Sequence, residues 1–418
     1  MSMDDLDQAL AMQIIASVGG AGQPPEYGFQ YFSVGLEDIT KVIDEFYLNR
    51  LIKSGGSSFK LIVGNYGMGK THLLYTLREL AWKNNYATSY VPLSPEQTPF
   101  YKLDSVYNSL VQNLQPPLTS QEVLSGTERG IRNLLVRWYN TLHERYRKIG
   151  YEDFEERRKF IEEEINGSIN GFESSSYTNA IRHSLKALLA DDMSVAEEIE
   201  AWLKGESYSR QLNEYGILQK IDASTAMARI RSLGQCVRAM GYSGIVILFD
   251  ETELHSSLSS RQKVLVLNNL RQLIDECFKT YFKGFMIFYT VPDLEWLFES
   301  KERYPALNQR LSTIFRKPNT LGVQIRLEDY FGHSPAEMEK HYIKIGRKLA
   351  QIYSVAYDFE FDGKVETGIT LLAKRASRDA FRQNVKREYV QNVINILEYI
   401  RESPDIVIDE KTIKDYFK

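Results

Sequence analysis

The chain has little cysteine: Cys236 and Cys277 alone among 418 residues. This excludes a disulfide framework and a C-x-x-C metal or redox pair, and both residues fall in amphipathic helical patterns that read as buried thiols. Long apolar runs are also missing. The two longest, Gly244 to Phe249 and Phe285 to Val291, fall far short of the roughly 18 residues a membrane span needs, so no bilayer crossing is expected. There is no basic excess either: 51 Lys and Arg stand against 55 Asp and Glu, a net charge of −4, so any nucleic-acid contact has to come from a local patch. The six histidines (72, 143, 183, 255, 333 and 341) show no H-E-x-x-H or related spacing, which argues against a dedicated protein metal site. Asp4, Asp5 and Asp7 stand where a secretory signal would carry positive charge, and the expectation is a cytoplasmic protein. A content of 43% hydrophobic and 25% charged residues is ordinary for a globular chain, with room for two or three domains.

Hydropathy patterning orders the chain. Residues 1–35 are mixed and Gly-rich, with GGAGQPPEYG reading as a loop. Leu36, Ile39, Ile43 and Phe46 recur at helical spacing and predict a helix from Leu36 to about Lys53. FKLIV (59–63) then reads as a short buried strand, GNYGMG as a turn, KTHLLYTLRELAWKN as a helix and ATSYVPL (87–93) as a second strand. From Tyr101 to about Met240 the pattern is almost wholly helical, and its charged block HERYRKIGYEDFEERRKFIEEE reads as a solvated helix pair. Strand signals return at 244–249, 284–290 and 321–327. Helices are expected near 335–353, 364–375 and 383–400. The predicted organisation is an N-terminal segment (1–35), a mostly parallel α/β domain (36–330) carrying a helical insertion at about 101–240, and a small all-helical C-terminal domain (331–418).

The strongest local signal is GNYGMGKT, Gly64 to Thr71, a full match to G-x-x-x-x-G-K-[ST] placed after one strand and at the start of one helix. Its glycines allow the torsions that aim backbone amides at phosphate oxygens. Lys70 would reach the β- and γ-phosphates and the Thr71 hydroxyl would take a place on Mg²⁺. Asn65, Tyr66, Gly67, Met68, Gly69 and His72 complete the candidate nucleotide-binding run. GIVILFDETE supplies a second carboxylate at a strand tip, Asp250, for the metal, and Glu251 beside it as candidate general base, with Glu253 as the competing choice. Thr290 ends a buried strand, where it either orients a lytic water or merely terminates the strand. Arg303, Arg310 and Arg316 lie on or near one helix; one of them could reach a neighbouring subunit's γ-phosphate, or all could be salt-bridged surface arginines. KRASRDAFRQNVKRE carries Lys374, Arg375, Arg378, Arg382, Lys386 and Arg387, a basic run that is a solvated face, a phosphate sensor or a nucleic-acid contact.

Together these segments resemble the AAA+ ATPases, within them the Cdc6/Orc-like branch, and more closely the family of ATP-binding proteins of bacterial BREX phage-defence islands. The segments that carry the likeness are GNYGMGKTHLL, YVPLSPEQTPFYKLDSVYNSLVQNL, ARIRSLGQCVRAMGYSGIVILFDETE and YPALNQRL, and the match spans about residues 30 to 400. The resemblance implies a P-loop NTPase (AAA+-like) sheet with a helical lid, ATP and Mg²⁺ as cofactors, and Lys70 and Thr71 as phosphate-loop residues. It further implies Asp250 and Glu251 as metal and water residues, Thr290 as first sensor, Arg310 as a finger acting in trans and Arg387 as second sensor. Phe32 to Gly35 resembles the segment that lines the adenine. After Ile400 too few residues remain for the winged helix of the Orc relatives, which weakens an expectation of DNA binding.

The function expected is therefore a Mg²⁺-dependent ATPase acting as a switch or assembly factor on a nucleoprotein complex, in phage defence or genome maintenance. It would work with a protein partner, as a homo-oligomer, and with DNA as a further candidate partner. The rival is a nucleotide-gated scaffold that does not hydrolyse ATP. A GTPase is disfavoured because no N-K-x-D base-reading motif occurs.

Overall fold

The computed structural model describes residues 6–21, 25, 27–190, 192–251, 258–294, 305–332, 334–379 and 384–416. Six strands form one sheet: β1 (Ser58–Val63), β2 (Ala87–Leu93), β3 (Leu114–Gln115), β4 (Ile245–Glu251), β5 (Phe285–Val291) and β6 (Gln324–Arg326). Their order is β3-β2-β4-β5-β1-β6. Every neighbouring pair is parallel except β2 with β3. The five longer or expected strands lie where the apolar runs put them. β3, two residues long, carries too little pattern to announce itself.

Both faces of the sheet are covered, which is why its strands read as continuous apolar runs. Successive side chains alternate between faces. Ile62, Leu248 and Phe288 pack against Leu74 and Leu77 of α3 (Lys70–Lys83). Phe59, Leu61, Ile247, Phe249 and Tyr289 join the opposite core. That second core is shared with the helical stretch between β2 and β4, which comprises α4 (Leu103–Gln112), α5 (Ser120–Leu124), α6 (Ile131–Lys148), α7 (Phe154–Ser168), α8 (Ser175–Leu189), α9 (Met193–Leu203) and α10 (Ala226–Ala239). Its Leu134, Trp138, Ile181 and Trp202 are buried in the same cluster as the strand residues. The charged block forms the α6–α7 helix pair, joined by Arg145 to Glu164 and by Tyr146 Oη donating to Glu164 Oε2 at 2.9 Å.

The N-terminal segment holds a helix that reaches three residues into the GGAGQPPEYG run read as a loop. Gln8–Ala21 is a helix, α1, and its Leu10, Ile14 and Val18 are buried with Leu349, Tyr353, Val393 and Leu397 of the C-terminal helices. Gly19 is what allows the close approach, since a Cβ there would lie 2.8 Å from Cγ2 of Ile394. The helix expected from Leu36 runs as α2 (Glu37–Val42) and continues through Ile43–Ile52 with wider, π-type winding. Beyond β4 follow α11 (Ser260–Phe278) and α12 (Pro305–Leu311), then α13 (Pro335–Tyr357), α14 (Gly363–Arg378), α15 (Val385–Glu402) and α16 (Glu410–Tyr416). The start of α13 is written locally, by a Ser334–Glu337 capping box and Pro335 in the first turn.

Several charged side chains are buried among the described residues, Lys60, Arg78 and Arg229 among them. Lys60, in mid-β1, is 1% exposed. Its Nζ donates to Tyr47 Oη at 2.6 Å and to the carbonyls of Leu321 and Gly322, so it ties the loop before β6 to β1. Burial pushes its pKa down from 10.5 to about 7. Between those values the unfolded chain holds a proton that the folded chain has released, so stability rises with pH across that window. Below about pH 7 both states are protonated and the dependence vanishes. The expected result is a melting temperature that climbs from pH 7 to 9, with Lys60 contributing up to about 1.4 kcal/mol per pH unit. Lys60→Met should flatten that climb in a thermal-melt series.

Candidate active site

β1 ends at Val63 and α3 begins at Lys70, so the loop Gly64 to Gly69 turns over the C-terminal edge of the sheet. The N–H of Met68 donates to the Asn65 carbonyl at 3.1 Å, closing a turn within the loop. Gly67 (φ 82) and Gly69 (φ 95) occupy left-handed backbone conformations that only glycine adopts without strain. Gly67 also admits a neighbour: a Cβ there would lie 3.0 Å from Cα of Asn384, the residue that opens α15. The loop therefore touches the C-terminal helices directly. Lys70 Nζ folds back over it, donating to Gly64 O at 2.6 Å and Asn65 O at 3.3 Å.

Parallel pairing brings three further side chains to the same edge. β5 lies between β1 and β4, with Ile62 opposite Thr290 and Phe249 opposite Tyr289. Asp250, 4% exposed, consequently sits beside the buried Thr290 and across from the first turn of α3. Its Oδ2 accepts from Thr71 Oγ1 at 2.7 Å and from Tyr90 Oη at 2.7 Å, and its Oδ1 from Thr290 Oγ1 at 3.2 Å. Burial first, and the negative charge of Asp250 second, hold the Tyr90 phenol protonated well above its ordinary range. Thr71 and Asp250 offer hard oxygen donors, the chemistry Mg²⁺ takes when it is held by one or two protein groups together with phosphates.

His72, the third residue of α3, faces away from the loop mouth into the N-terminal segment. Its Nε2 shares a 2.6 Å hydrogen bond with Ser33 Oγ, and its ring lies 4.9 Å from Phe29 and 5.1 Å from Phe32. Burial, then the charges of Lys386 and Lys348, push its pKa down to about 3, so the imidazole is neutral. Gly35 abuts the His341 ring and the Tyr330 carbonyl. A cleft runs from Tyr66 and Met68 to Phe331, His341 and Lys386, bounded on one side by the phosphate-type loop and on the other by α13 and α15.

The structure thus brings together Gly64 to His72, Asp250 and Thr290. Glu251 follows Asp250 as the last residue of β4, but its side chain, Glu253 and Arg303 lie outside the described residues. Arg310 is held by Asp275 of α11, Nε to Oδ1 at 2.6 Å, and Arg316 lies in the turn before β6, bonded through its N–H to Asn319 O. Arg387 stands in the first turn of α15, and its neighbour Lys386 lies against the loop. Lys386 Nζ lies 3.7 Å from where a Gly69 Cβ would be and 3.8 Å from the Phe331 ring centroid. Burial lowers its pKa to about 8. One residue along a helix is a rotation of about 100°, which the basic run alone could not resolve. Two of that run's exposed cations have partners in the chain: Lys374 pairs with Glu410 at 3.6 Å and Arg375 donates to Ile413 O at 3.4 Å. Arg382 lies outside the described residues.

The family model for the BREX system ATP-binding protein BrxC/D matches residues 7–415. The chain belongs to that family. No curated protein and no solved structure matches it. The BrxC/D match runs through α1, the sheet, the helices between β2 and β4 and the C-terminal helices alike, so it is not confined to the Gly64–Gly69 loop. Among the described residues no helix is long and apolar enough to cross a membrane, and no cluster of three His, Cys, Asp or Glu side chains could cage a metal.

Proposed function

We propose that this protein binds ATP with Mg²⁺ on a P-loop NTPase (AAA+-like) core and hydrolyses it, serving as a switch or assembly factor in phage defence. The observation that carries the reading is the convergence of Thr71, Asp250 and Thr290 hydrogen bonds beneath the Gly64–Lys70 loop. In this reading Lys70 leaves the Gly64 and Asn65 carbonyls for the β- and γ-phosphates. The loop amides and the N-terminus of α3 hold the remaining phosphate oxygens. Thr71 and Asp250 would hold Mg²⁺, whose chemistry there is neutralisation of phosphate charge. Glu251 would accept the proton of the attacking water, with Thr290 holding that water in line. The cleft from Tyr66 to Lys386 would take the base and ribose. Lys386 and Arg387 would then sense the phosphates from α15, as the two cations of its first turn.

Calorimetric titration with ATP, with and without Mg²⁺, tests binding, and steady-state phosphate release tests turnover. Binding without release would favour a nucleotide-gated scaffold. That alternative has its own support in the contact of Gly67 with Asn384, through which an occupied loop would move the C-terminal helices whether or not hydrolysis follows.

The family membership supports a protein partner within the BREX system. DNA is the weaker candidate, given how Lys374, Arg375 and Lys386 are engaged. Arg310 acting in trans requires a homo-oligomer and exchange of its bond to Asp275 for one to a neighbour's phosphate. Turnover per subunit should accordingly rise with protein concentration. Concentration-independent turnover, measured alongside a monomer mass by light scattering, would remove Arg310 from the site.

A further inference from the structure

Tyr90 belongs to no phosphate-binding motif. It stands on β2, outside β4 in the sheet order, opposite Leu248. Period-2 alternation puts Tyr90, Leu248 and Asp250 on one face, and the phenol is long enough to reach the carboxylate two residues further along. There its hydroxyl donates to Oδ2, the same oxygen that Thr71 uses. A carboxylate offers about four lone-pair sites, two on each oxygen. Two hydroxyls at 2.7 Å occupy Oδ2, while Oδ1 carries the longer 3.2 Å contact from Thr290.

The phenol is itself held. Its ring packs on Tyr75 with centroids 4.9 Å apart, and Tyr75 stands on α3 one turn beyond Thr71. Tyr75 in turn contacts Phe29 at 5.0 Å and the Arg78 guanidinium at 4.4 Å. Tyr90 therefore approaches Asp250 from a fixed direction set by β2 and α3 together.

We propose that Tyr90 is a positioning residue for the metal carboxylate: by filling Oδ2 together with Thr71 it fixes the Asp250 rotamer and leaves Oδ1 with the lone-pair capacity for Mg²⁺. This rests on the ATP–Mg²⁺ reading of the same site. A tyrosine that merely satisfies its own hydroxyl would affect folding and leave metal affinity alone.

Tyr90→Phe keeps the ring and its packing on Tyr75 and deletes one hydroxyl. Mn²⁺, as a paramagnetic probe for Mg²⁺, is titrated by electron paramagnetic resonance into full-length protein saturated with a non-hydrolysable ATP analogue. Affinity for the analogue alone is measured in EDTA, and the melting temperature of each variant is recorded. Mn²⁺ affinity is expected to fall about 10- to 100-fold, as for other partners that orient a metal ligand, with metal-free analogue affinity unchanged. Unchanged Mn²⁺ affinity overturns the inference. So does a parallel loss of metal affinity and metal-free analogue affinity with a lowered melting temperature, which marks a structural role. Wild-type protein that binds the analogue but no metal overturns the inference and spares nucleotide binding, whereas failure to bind the analogue at all overturns the ATP reading as well.

Discussion

Glu251→Gln is expected to bind ATP as the parent does and to turn it over about 10² to 10⁴ times more slowly, the range general-base catalysis supplies. The amide has nearly the shape of the carboxylate but accepts no proton. Asp250, one residue earlier on β4, keeps its bonds to Thr71, Tyr90 and Thr290, so the metal donors are undisturbed. The variant should trap ATP, seen as nucleotide that co-elutes with protein after long incubation. Single-turnover phosphate release separates the outcomes. If hydrolysis survives in Glu251→Gln and disappears in Glu253→Gln, the base is Glu253.

Lys70→Ala should instead lose ATP affinity, by roughly 10- to 100-fold, since hydrogen bonds to charged groups contribute about 1.5–3 kcal/mol. The loop otherwise meets the phosphates with neutral amides, so a cation facing two phosphates has no substitute within it. Lys386 is a second cation beside the loop, with Nζ 3.7 Å from a Gly69 Cβ position, and it sets a limit on the loss. Calorimetric titration at fixed Mg²⁺ is the measurement, and wild-type affinity in Lys70→Ala would defeat the phosphate-loop assignment. The two variants part company: one binds ATP as the parent does but turns it over slowly, the other binds it weakly.

Membership of the BREX ATP-binding family was legible from the residues, because the motif Gly64 to Thr71, the Asp-Glu strand tip and YPALNQRL are contiguous strings. So were the longer strands and the C-terminal helices, whose apolar periods are local properties of the chain. α1 was hidden for the same reason turned round. Its Gly19 and Gly20 read locally as a breaker, and the gain that keeps the helix comes from burying Leu10, Ile14 and Val18 against residues more than 300 positions away.

The candidate site divides along the same line. Gly64 to Thr71 and Asp250 could be named in advance, since a phosphate loop and a strand-tip carboxylate are each a short run with its own chemistry. That β5 lies between β1 and β4, that β2 flanks β4, and that Tyr90 and Thr290 therefore meet on one carboxylate depend on strand order, which no single segment encodes. Nor does any run of basic residues state that Lys386 lies against the loop. Lys386 does so because the packing of Val385 and Tyr389 into the C-terminal core sets the helix rotation. Local patterns wrote the elements and the motifs; burial between distant segments chose which side chains share the site.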